Sequence, residues 1–445
     1  MDKTEDAARE VVGELQDRGF AAWWVGGAVR DRIMGKDPAE YDVATVAHPE
    51  EVLRIFRKEL ACTAVEVGKA YGVVRVEYRG HWFEVATLRS DKGYSDKRHP
   101  DKVEYGTDPR LDAERRDFTV NALFQNPVSG EVLDFVGGQE DIERKVMRTV
   151  GRPEDRFTED HLRKLRLIRF ATRLWFEIDP ATWQAAVNDP TLDVSAERIR
   201  DELVKMLTGP APGRALRLLH ESGLLKQFLP EASAMAGVEQ PPMFHPEGDV
   251  FTHTVKMFDL AEKPIDEVLA LTLLLHDIGK PPCFDPAKPD GKIRFPGHEV
   301  KGAEMAEEIL KRLRFPNETI DAVKELIREH MRIKDAPEMR QARLLRFFAN
   351  PLFEKHLELH RLDCAASHGK MNVYEFLVEK YTEWKNTPKL PEPFINGNDL
   401  MAMGVKPGPF MGKVLNEVRD LQLDGTIKSR EEAMDAAKKL IEKGL

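Results

Sequence analysis

Two adjacent glycines between an apolar strand and a short amphipathic helix, with two acids shortly downstream, constrain this chain more than any other feature. Residues Trp23 to Thr45 read WWVGGAVRDRIMGKDPAEYDVAT, which implies strand, turn, helix and second strand. Without a Cβ, Gly26 and Gly27 let a ligand approach the backbone, and the helix opening near Ala28 turns unpaired N–H groups toward that turn. An anion suits the place. Glu40 and Asp42 flank Tyr41, and strand alternation sends both to one side, where two carboxylates share divalent cations with a triphosphate. Alone, such an acidic pair is ordinarily a solvated strand edge. Beside a glycine turn it is the layout of two-metal phosphoryl or nucleotidyl transfer.

Further motifs follow: RRDFTVNAL from Arg115, DFVGGQEDI from Asp134 and EDHLRKLRLIRFA from Glu159. Together with GGAVRD they resemble the tRNA nucleotidyltransferase and poly(A) polymerase family of the bacterial type (class II), over nearly the whole chain. The family shows Asp-x-Asp where this chain has Glu40 and Asp42, and the extra methylene moves the Glu40 oxygens outward by about a bond length, against the near-ideal octahedron of Mg²⁺. The resemblance implies an α+β fold, with a small N-terminal head of mixed or antiparallel sheet and helices. An all-helical neck, body and tail follow, divided as 1–150, 151–212, 213–385 and 386–445. It implies two Mg²⁺ at Glu40 and Asp42, a third carboxylate at Glu84, and Gly26, Gly27, Arg30 and Arg116 around the triphosphate. By the same resemblance, Arg116 and Asp117 lie in the motif that in the family reads ribose against deoxyribose, neighboured by Arg115 and Asn121, and DFVGGQEDI, by itself a Gly-Gly turn, is what in the family hinges the head against the neck.

A chain of 445 residues exceeds the size of a single core, so several domains are expected. No run of 18 apolar residues occurs, and the polar opening MDKTEDAARE is unlike a signal segment. Cys62, Cys283 and Cys364 are scattered without metal-site spacing, as in a reducing compartment. A soluble cytoplasmic protein, off the membrane, is the expectation. A net charge of −10 is unusual for an RNA-binding chain, but binding depends on where cations cluster. Between Arg144 and Arg173 ten Lys and Arg stand against four Asp and Glu. That excess is the expected phosphate-facing surface, although intrahelical pairs would also account for it.

Apolar spacing predicts a helix over residues 2–18, a second over Pro49–Leu60, and strands over 63–67, 72–78 and 81–88, the last two forming a hairpin about Arg79-Gly80. Glu84 lies on the third strand. Arg89 to Gly106 lacks periodicity and reads as a mobile loop; in the family a loop of full length accompanies addition of the terminal A. Glu159 to Arg169 reads as part of one long helix, with Asp160 one turn before Arg163 and with Arg163, Arg166 and Arg169 on one stripe. An Asp acceptor beside an Arg fork can hydrogen-bond a nucleobase edge, although the bare pattern is equally a salt-bridged face. The resemblance assigns base selection to Asp160 and Arg163, with Arg166 and Arg169 on phosphates.

Beyond Ala181 strand signals fade and the remainder is expected to be helical. His253, His276-Asp277, His298, His330 and Asp363 then form an ordered set of metal-binding residue types. LLLHDIGK with the later RLDCAAS resembles the HD superfamily of metal-dependent phosphohydrolases. Its ligands would be His253, His276, Asp277 and Asp363, holding Mg²⁺, Mn²⁺ or Ni²⁺, with His298 and His330 in support. A Pro-rich link, Thr387 to Phe394, precedes a helix-turn-helix tail that in the family embraces the tRNA elbow, with Lys406 and Lys413 as phosphate contacts.

The expected activity is addition of CCA to the tRNA 3′ end from CTP and ATP. An A-adding enzyme or a poly(A) polymerase shares every head motif. An HD phosphohydrolase acting on RNA 3′ ends and a non-catalytic RNA-binding protein are the readings from other classes.

Overall fold

The computed structural model describes residues 3–67, 72–92, 102–241, 245–285, 293–386 and 391–444. They fall into two compact units, Met1–Ser233 and Ala234–Leu445.

In the first unit α1 (Lys3–Gln16) buries Ala7, Ala8, Val11, Val12 and Leu15, the apolar stripe that the spacing implies. It lies against β1 (Ala22–Val25), whose Trp24 is fully buried and donates its indole N–H to the Ala8 carbonyl at 3.1 Å. Trp23 and Val25 face the other side, with Ala44 and Phe124. Next come α2 (Gly27–Ile33), β2 (Asp42–Thr45) and α3 (Pro49–Leu53), which runs on through one π-helical stretch to Glu59. β3 (Thr63–Val67), β4 (Val73–Tyr78) and β5 (His81–Thr87) complete the expected strands, turning at Arg79-Gly80 with φ of 52° and 80°.

The segment expected as a loop carries two strands instead. β6 (Arg89–Lys92) pairs antiparallel with β7 (Lys102–Tyr105), while residues 93–101 lie outside the described residues. Backbone pairing with a partner strand requires no apolar face, so sequence periodicity does not show it. After α4 (Pro109–Glu114), RRDFTVNAL makes a 3₁₀ turn, Thr119–Asn121, and then enters β8 (Phe124–Gln125) and β9 (Val132–Leu133). The main sheet runs β3-β4-β5-β2-β1-β8-β9, antiparallel except for β2 beside β5.

DFVGGQEDI becomes the start of α5 (Gly138–Arg144). The Asp134 carboxylate accepts N–H groups from Val136, Gly137, Gly138 and Gln139 at 2.9–3.1 Å, filling the donors a helix start leaves open. Gly138 is required because a Cβ there would sit 2.3 Å from the Thr119 carbonyl oxygen. β10 (Val146–Met147) leads to α6 (Pro153–Glu159) and α7 (Leu162–Leu174). The single helix expected across Glu159–Arg169 is therefore broken. Asp160 is extended (φ −152°, ψ 106°) and its Oδ1 accepts the Leu162 N–H at 3.1 Å, so its short side chain replaces a helical bond. β11 (Glu177–Ile178), α8 (Pro180–Asn188) and α9 (Ala196–Leu207) follow, with β10 and β11 paired in parallel.

No named strand occurs after Ile178 among the described residues. In the second unit the helices Val250–Leu260, Glu267–Leu275, His298–Arg312, Asn317–Glu329 and Phe353–Ala366 surround a polar centre, and Gly397–Ala402, Pro409–Leu423 and Arg430–Glu442 share a core of their own. Of the Pro-rich link, 387–390 lie outside the described residues. No described helix is long and apolar enough to cross a membrane.

Candidate active site and a second polar centre

Asp42 opens β2, and its register partner across β5 is Glu84. Register partners project to one face, so the two carboxylates stand side by side. Glu40 joins them from just before the strand, with Tyr41 between them buried at 3% exposure. None of the three carboxylates has an ion pair or a hydrogen bond among the described residues. Partial desolvation, then the Glu84 and Glu40 charges, push the Asp42 carboxyl up to about 6, against the opposing pull of Arg116. Like charges held together without a cation are what a divalent ion relieves, so this donor set fits a metal.

A cleft of about 550 Å³ runs from these acids, lined by Gly26, Gly27, Arg30, Arg116, Asp117, Asp160, Arg163 and Arg166. Almost the whole expected set meets there; Glu84 stands beside Asp42 without lining the cleft, and Arg169 lines an adjoining hollow. Gly26 has φ 68°, and a Cβ on it would lie 3.3 Å from an Arg116 guanidinium nitrogen. Arg30, 2% exposed, donates to Asn121 Oδ1 at 2.6 Å and to Asp31 at 2.8 Å. Burial lowers its pKa, against the Asp31 charge.

The buried carboxylate of Asp112, unnoticed in the sequence, takes Arg115 on one oxygen at 2.9 Å and Arg116 on the other at 3.1 Å. The motif's two arginines are aimed by that one acid. Asp117 accepts both Nε–H and Nη2–H of Arg166 at 2.8 and 2.6 Å, and its other oxygen takes Asn121 Nδ2–H at 3.2 Å. Against the desolvation of its site, Arg166 holds Asp117 below the usual carboxylate range. The Phe170 ring carries Arg30, Arg166 and Arg169 at 5.5, 5.2 and 4.0 Å, a cation–π hub that fixes their stems.

Asp160 and Arg163 both line the cleft but do not pair with each other. Asp160 is forked by Arg198 of α9 at 2.7 and 3.2 Å, while Arg163 binds Glu159 at 2.5 Å and the Arg156 carbonyl at 3.0 Å. Arg169 is 7% exposed and bound to Glu202 at 2.5 Å, so it reaches the cleft chiefly through its neighbours. Arg198 and Glu202 lie 38 and 33 residues from their partners, beyond any local spacing signal. Asp112 lies three and four residues before Arg115 and Arg116, a helical spacing that would have exposed it.

The second unit brings its histidines together. Gly279 of HDIGK crosses the helix His298–Arg312 so tightly that a Cβ would meet the His298 carbonyl at 2.2 Å and the Gly302 nitrogen at 2.6 Å. That crossing sets His298 Nε2 3.6 Å from Asp277, while His276 Nε2 is 3.2 Å from Asp277 and His253 Nε2 3.1 Å from Asp363. The outer nitrogen of each ring is anchored: Nδ1 of His276, His298 and His330 contacts the carbonyls of Leu273, Phe295 and Ile327 at 3.0, 2.8 and 2.6 Å, and that of His253 contacts Glu247 at 2.6 Å. Such anchoring turns Nε2 inward as a ligand. Nε2 of His253, His276 and His298 is buried without a hydrogen-bond partner among the described residues. The donor atoms of His253, His276 and Asp277 lie within 4.8 Å of one another, as do those of Asp277, His298 and His330, so Asp277 belongs to both groups. His298 and His330 therefore stand as ligand candidates in their own right, beyond the supporting place expected for them. Lys406 and Lys413 are exposed near the Pro-Gly-Pro turn of the tail.

A sheet presenting unpaired acids to an arginine-walled cleft, followed by a helical His/Asp domain, defines a nucleotidyltransferase with an appended HD domain. Family profiles agree, matching "Poly A polymerase head domain" at residues 22–148, "Probable RNA and SrmB- binding site of polymerase A" at 175–235 and "HD domain" at 250–362. A CCA-adding enzyme of Lactobacillus helveticus is 30% identical over 440 residues, covering 98% of each chain. One from Geobacillus stearothermophilus is 41% identical over 232 residues, 52% of this chain and 55% of that one. The crystal structure of the Bacillus stearothermophilus CCA-adding enzyme in complex with CTP superposes with a TM-score of 0.75 at 26% identity, over 100% of this chain and 98% of that one. This chain belongs to the CCA-adding enzyme family.

Proposed function

We propose that this chain completes the 3′ end of tRNA with C and A taken from CTP and ATP, selecting nucleotides with protein side chains in the cytoplasm. The observation carrying this reading is the meeting of three unpaired acids, Glu40 and Asp42 lining the arginine-walled cleft and Glu84 beside Asp42 on the neighbouring strand. In the mechanism, the RNA 3′ hydroxyl attacks the nucleotide α-phosphate in line and pyrophosphate leaves. Two Mg²⁺ ions held by Glu40 and Asp42 supply charge neutralisation and Lewis-acid polarisation when bound. Glu84 keeps the acidic cluster attractive to cations. Gly26 and Gly27 leave room for the phosphates, which Arg30 and Arg116 orient, and Asp117 with Asn121 faces the ribose hydroxyls. Asp160 and Arg163 present an acceptor and a donor to the base edge.

The division into head 1–150, neck 151–212, body 213–385 and tail 386–445 fits this work, with Lys406 and Lys413 on tRNA phosphates. The buried imidazole nitrogens around Asp277 favour a second activity as well, hydrolysis of phosphate from RNA 3′ ends with Mg²⁺, Mn²⁺ or Ni²⁺ at His253, His276, Asp277 and Asp363.

The test is labelled CTP and ATP, separately and together, on tRNA ending in the discriminator base or in CC. Incorporation stopping at CCA supports the reading; A alone on CC ends points to an A-adding enzyme, long A tracts on generic RNA to a poly(A) polymerase, and no incorporation sinks it.

A further inference from the structure

A second hollow, of about 540 Å³, opens on the other side of the acidic pair. It shares Gly27, Arg30, Glu40 and Asp42 with the nucleotide cleft, and its further wall carries Arg169 and Arg173 of α7 with Lys205 and Thr208 at the end of α9. The arginines around the first cleft have carboxylate partners: Arg163 has Glu159, Arg166 has Asp117, Arg198 has Asp160 and Arg169 has Glu202. Arg173 and Lys205 differ. Both are exposed, and neither has an ion pair or a hydrogen bond among the described residues.

A lysine in the last turn of a helix is by itself an ordinary complement to the helix dipole. Here it shares a hollow with a second unpaired cation, Arg173, and with Arg30, whose guanidinium is already engaged by Asp31 and Asn121, so the charges of Arg173 and Lys205 are left without a carboxylate among the described residues. An anion of high charge density answers that arrangement. The α-phosphate must sit where the two hollows meet, over Glu40 and Asp42. A phosphate chain that passes this junction from the base-reading side enters the second hollow, where guanidinium and ammonium donors grip phosphate oxygens.

We propose that Arg173 and Lys205 form a phosphate subsite across the acidic pair from the base-reading cleft, holding the pyrophosphate end of the nucleotide or the terminal phosphodiesters of the RNA. The proposal rests on the reading of the first cleft as the nucleotidyl-transfer centre.

The experiment uses the full-length protein with R173Q, K205Q, the double variant and R173K. Three constants are measured: the equilibrium binding constant of inorganic pyrophosphate with Mg²⁺, the KM for CTP, and the dissociation constant of tRNA lacking its CCA end across a salt series. If the site takes polyphosphate, the double variant weakens pyrophosphate and raises the CTP KM by about tenfold or more, leaving tRNA affinity unchanged. If it takes RNA, tRNA affinity falls and the salt slope drops by about one to two, with pyrophosphate unaffected. R173K, which keeps the charge, retains most of the binding in either case. All three constants within twofold of the parent would overturn the subsite. Because two of the readouts are binding constants, a parent protein that incorporates no nucleotide would refute the proposed function without obscuring this result.

Discussion

Asp42 and Glu84 are register partners where β2 runs parallel to β5 in the head sheet, two carboxylates held side by side with no ion pair among the described residues. The arrangement favours ion binding and opposes folding, since each ionised acid raises the free energy of the other. Asp42→Asn should therefore abolish nucleotide incorporation while raising the melting temperature of the ion-free protein. With the solvent screening of an open cleft, about 1 kcal/mol is expected, or ~2–4 °C for a unit of this size. Incorporation assays and calorimetry on the same preparation check both halves.

The sign of the Asp42 shift also sets a pH dependence. Its carboxyl titrates near about 6 in the ion-free protein, and the ion requires the carboxylate. Protons therefore compete below that value. Affinity of the head for Mn²⁺ should be nearly flat above pH 7 and fall roughly tenfold per unit below 6. An Asp277→Ala background, which removes the second centre, isolates the head in a spin-resonance titration. A profile flat down to pH 5 would show that Asp42 is not the titrating ligand.

Asp112 holds two arginines that face the cleft, so its removal acts on both at once. Asp112→Ala leaves two partly buried guanidinium groups without their acid, a change that typically costs ~3–5 kcal/mol when a buried pair is broken. The KM for both CTP and ATP should rise together, because both nucleotides share the triphosphate. Urea unfolding and steady-state kinetics measure the two effects, and a change for one nucleotide only would contradict this role.

What could be read in advance divides along chain distance. The glycine turn, Glu40 with Asp42, and the His276-Asp277 pair are local patterns whose spacing already determines their geometry. Asp160 was recognisable as a cleft residue but not as the partner of Arg198, because that contact spans 38 residues and depends on how α9 docks. The regular spacing of Arg163, Arg166 and Arg169 concealed the break at Asp160, since the pattern continues past a residue that leaves the helix. β6 was missed because Arg89–Lys92 is polar throughout, and β7 because the alternation in Lys102–Tyr105 lasts only four residues. His298 joins Asp277 only through the Gly279 crossing, a tertiary event.

Arg198 orients the acid proposed to read the base, so its loss should blur selection more than it slows transfer. In Arg198→Ala the Asp160 carboxylate loses two donated bonds and is left with the Leu162 N–H on Oδ1, a looser hold on its orientation. Discrimination of CTP and ATP against UTP and GTP should fall by about ten- to a hundredfold, corresponding to ~1–3 kcal/mol for a lost base contact. The kcat/KM ratios for the four nucleotides on one tRNA give the answer. A uniform loss over all four would make Arg198 merely structural.

At the second centre, proton and metal compete for one imidazole. Against the desolvation of a fully buried ring, the carboxylates of Asp363 and Glu247 raise His253 to about 9, while burial lowers His330 to about 3. In the ion-free protein His253 is then charged at neutral pH, and its raised pKa contributes stability that is complete below about 6.5 and is lost as pH rises through about 9. A divalent ion must displace that proton, so its affinity should climb roughly tenfold per pH unit up to about 9. Near pH 7 ion uptake should release close to one proton, detectable by calorimetry in buffers of different ionisation enthalpy. Stability of the ion-free and ion-loaded proteins should thus diverge as pH rises. Asp277→Ala should lose this ion while retaining nucleotide incorporation, and Asp42→Asn should do the reverse. An ion affinity independent of pH between 6 and 9 would mean that His253 is not a ligand, leaving Asp277, His298 and His330 to hold the metal.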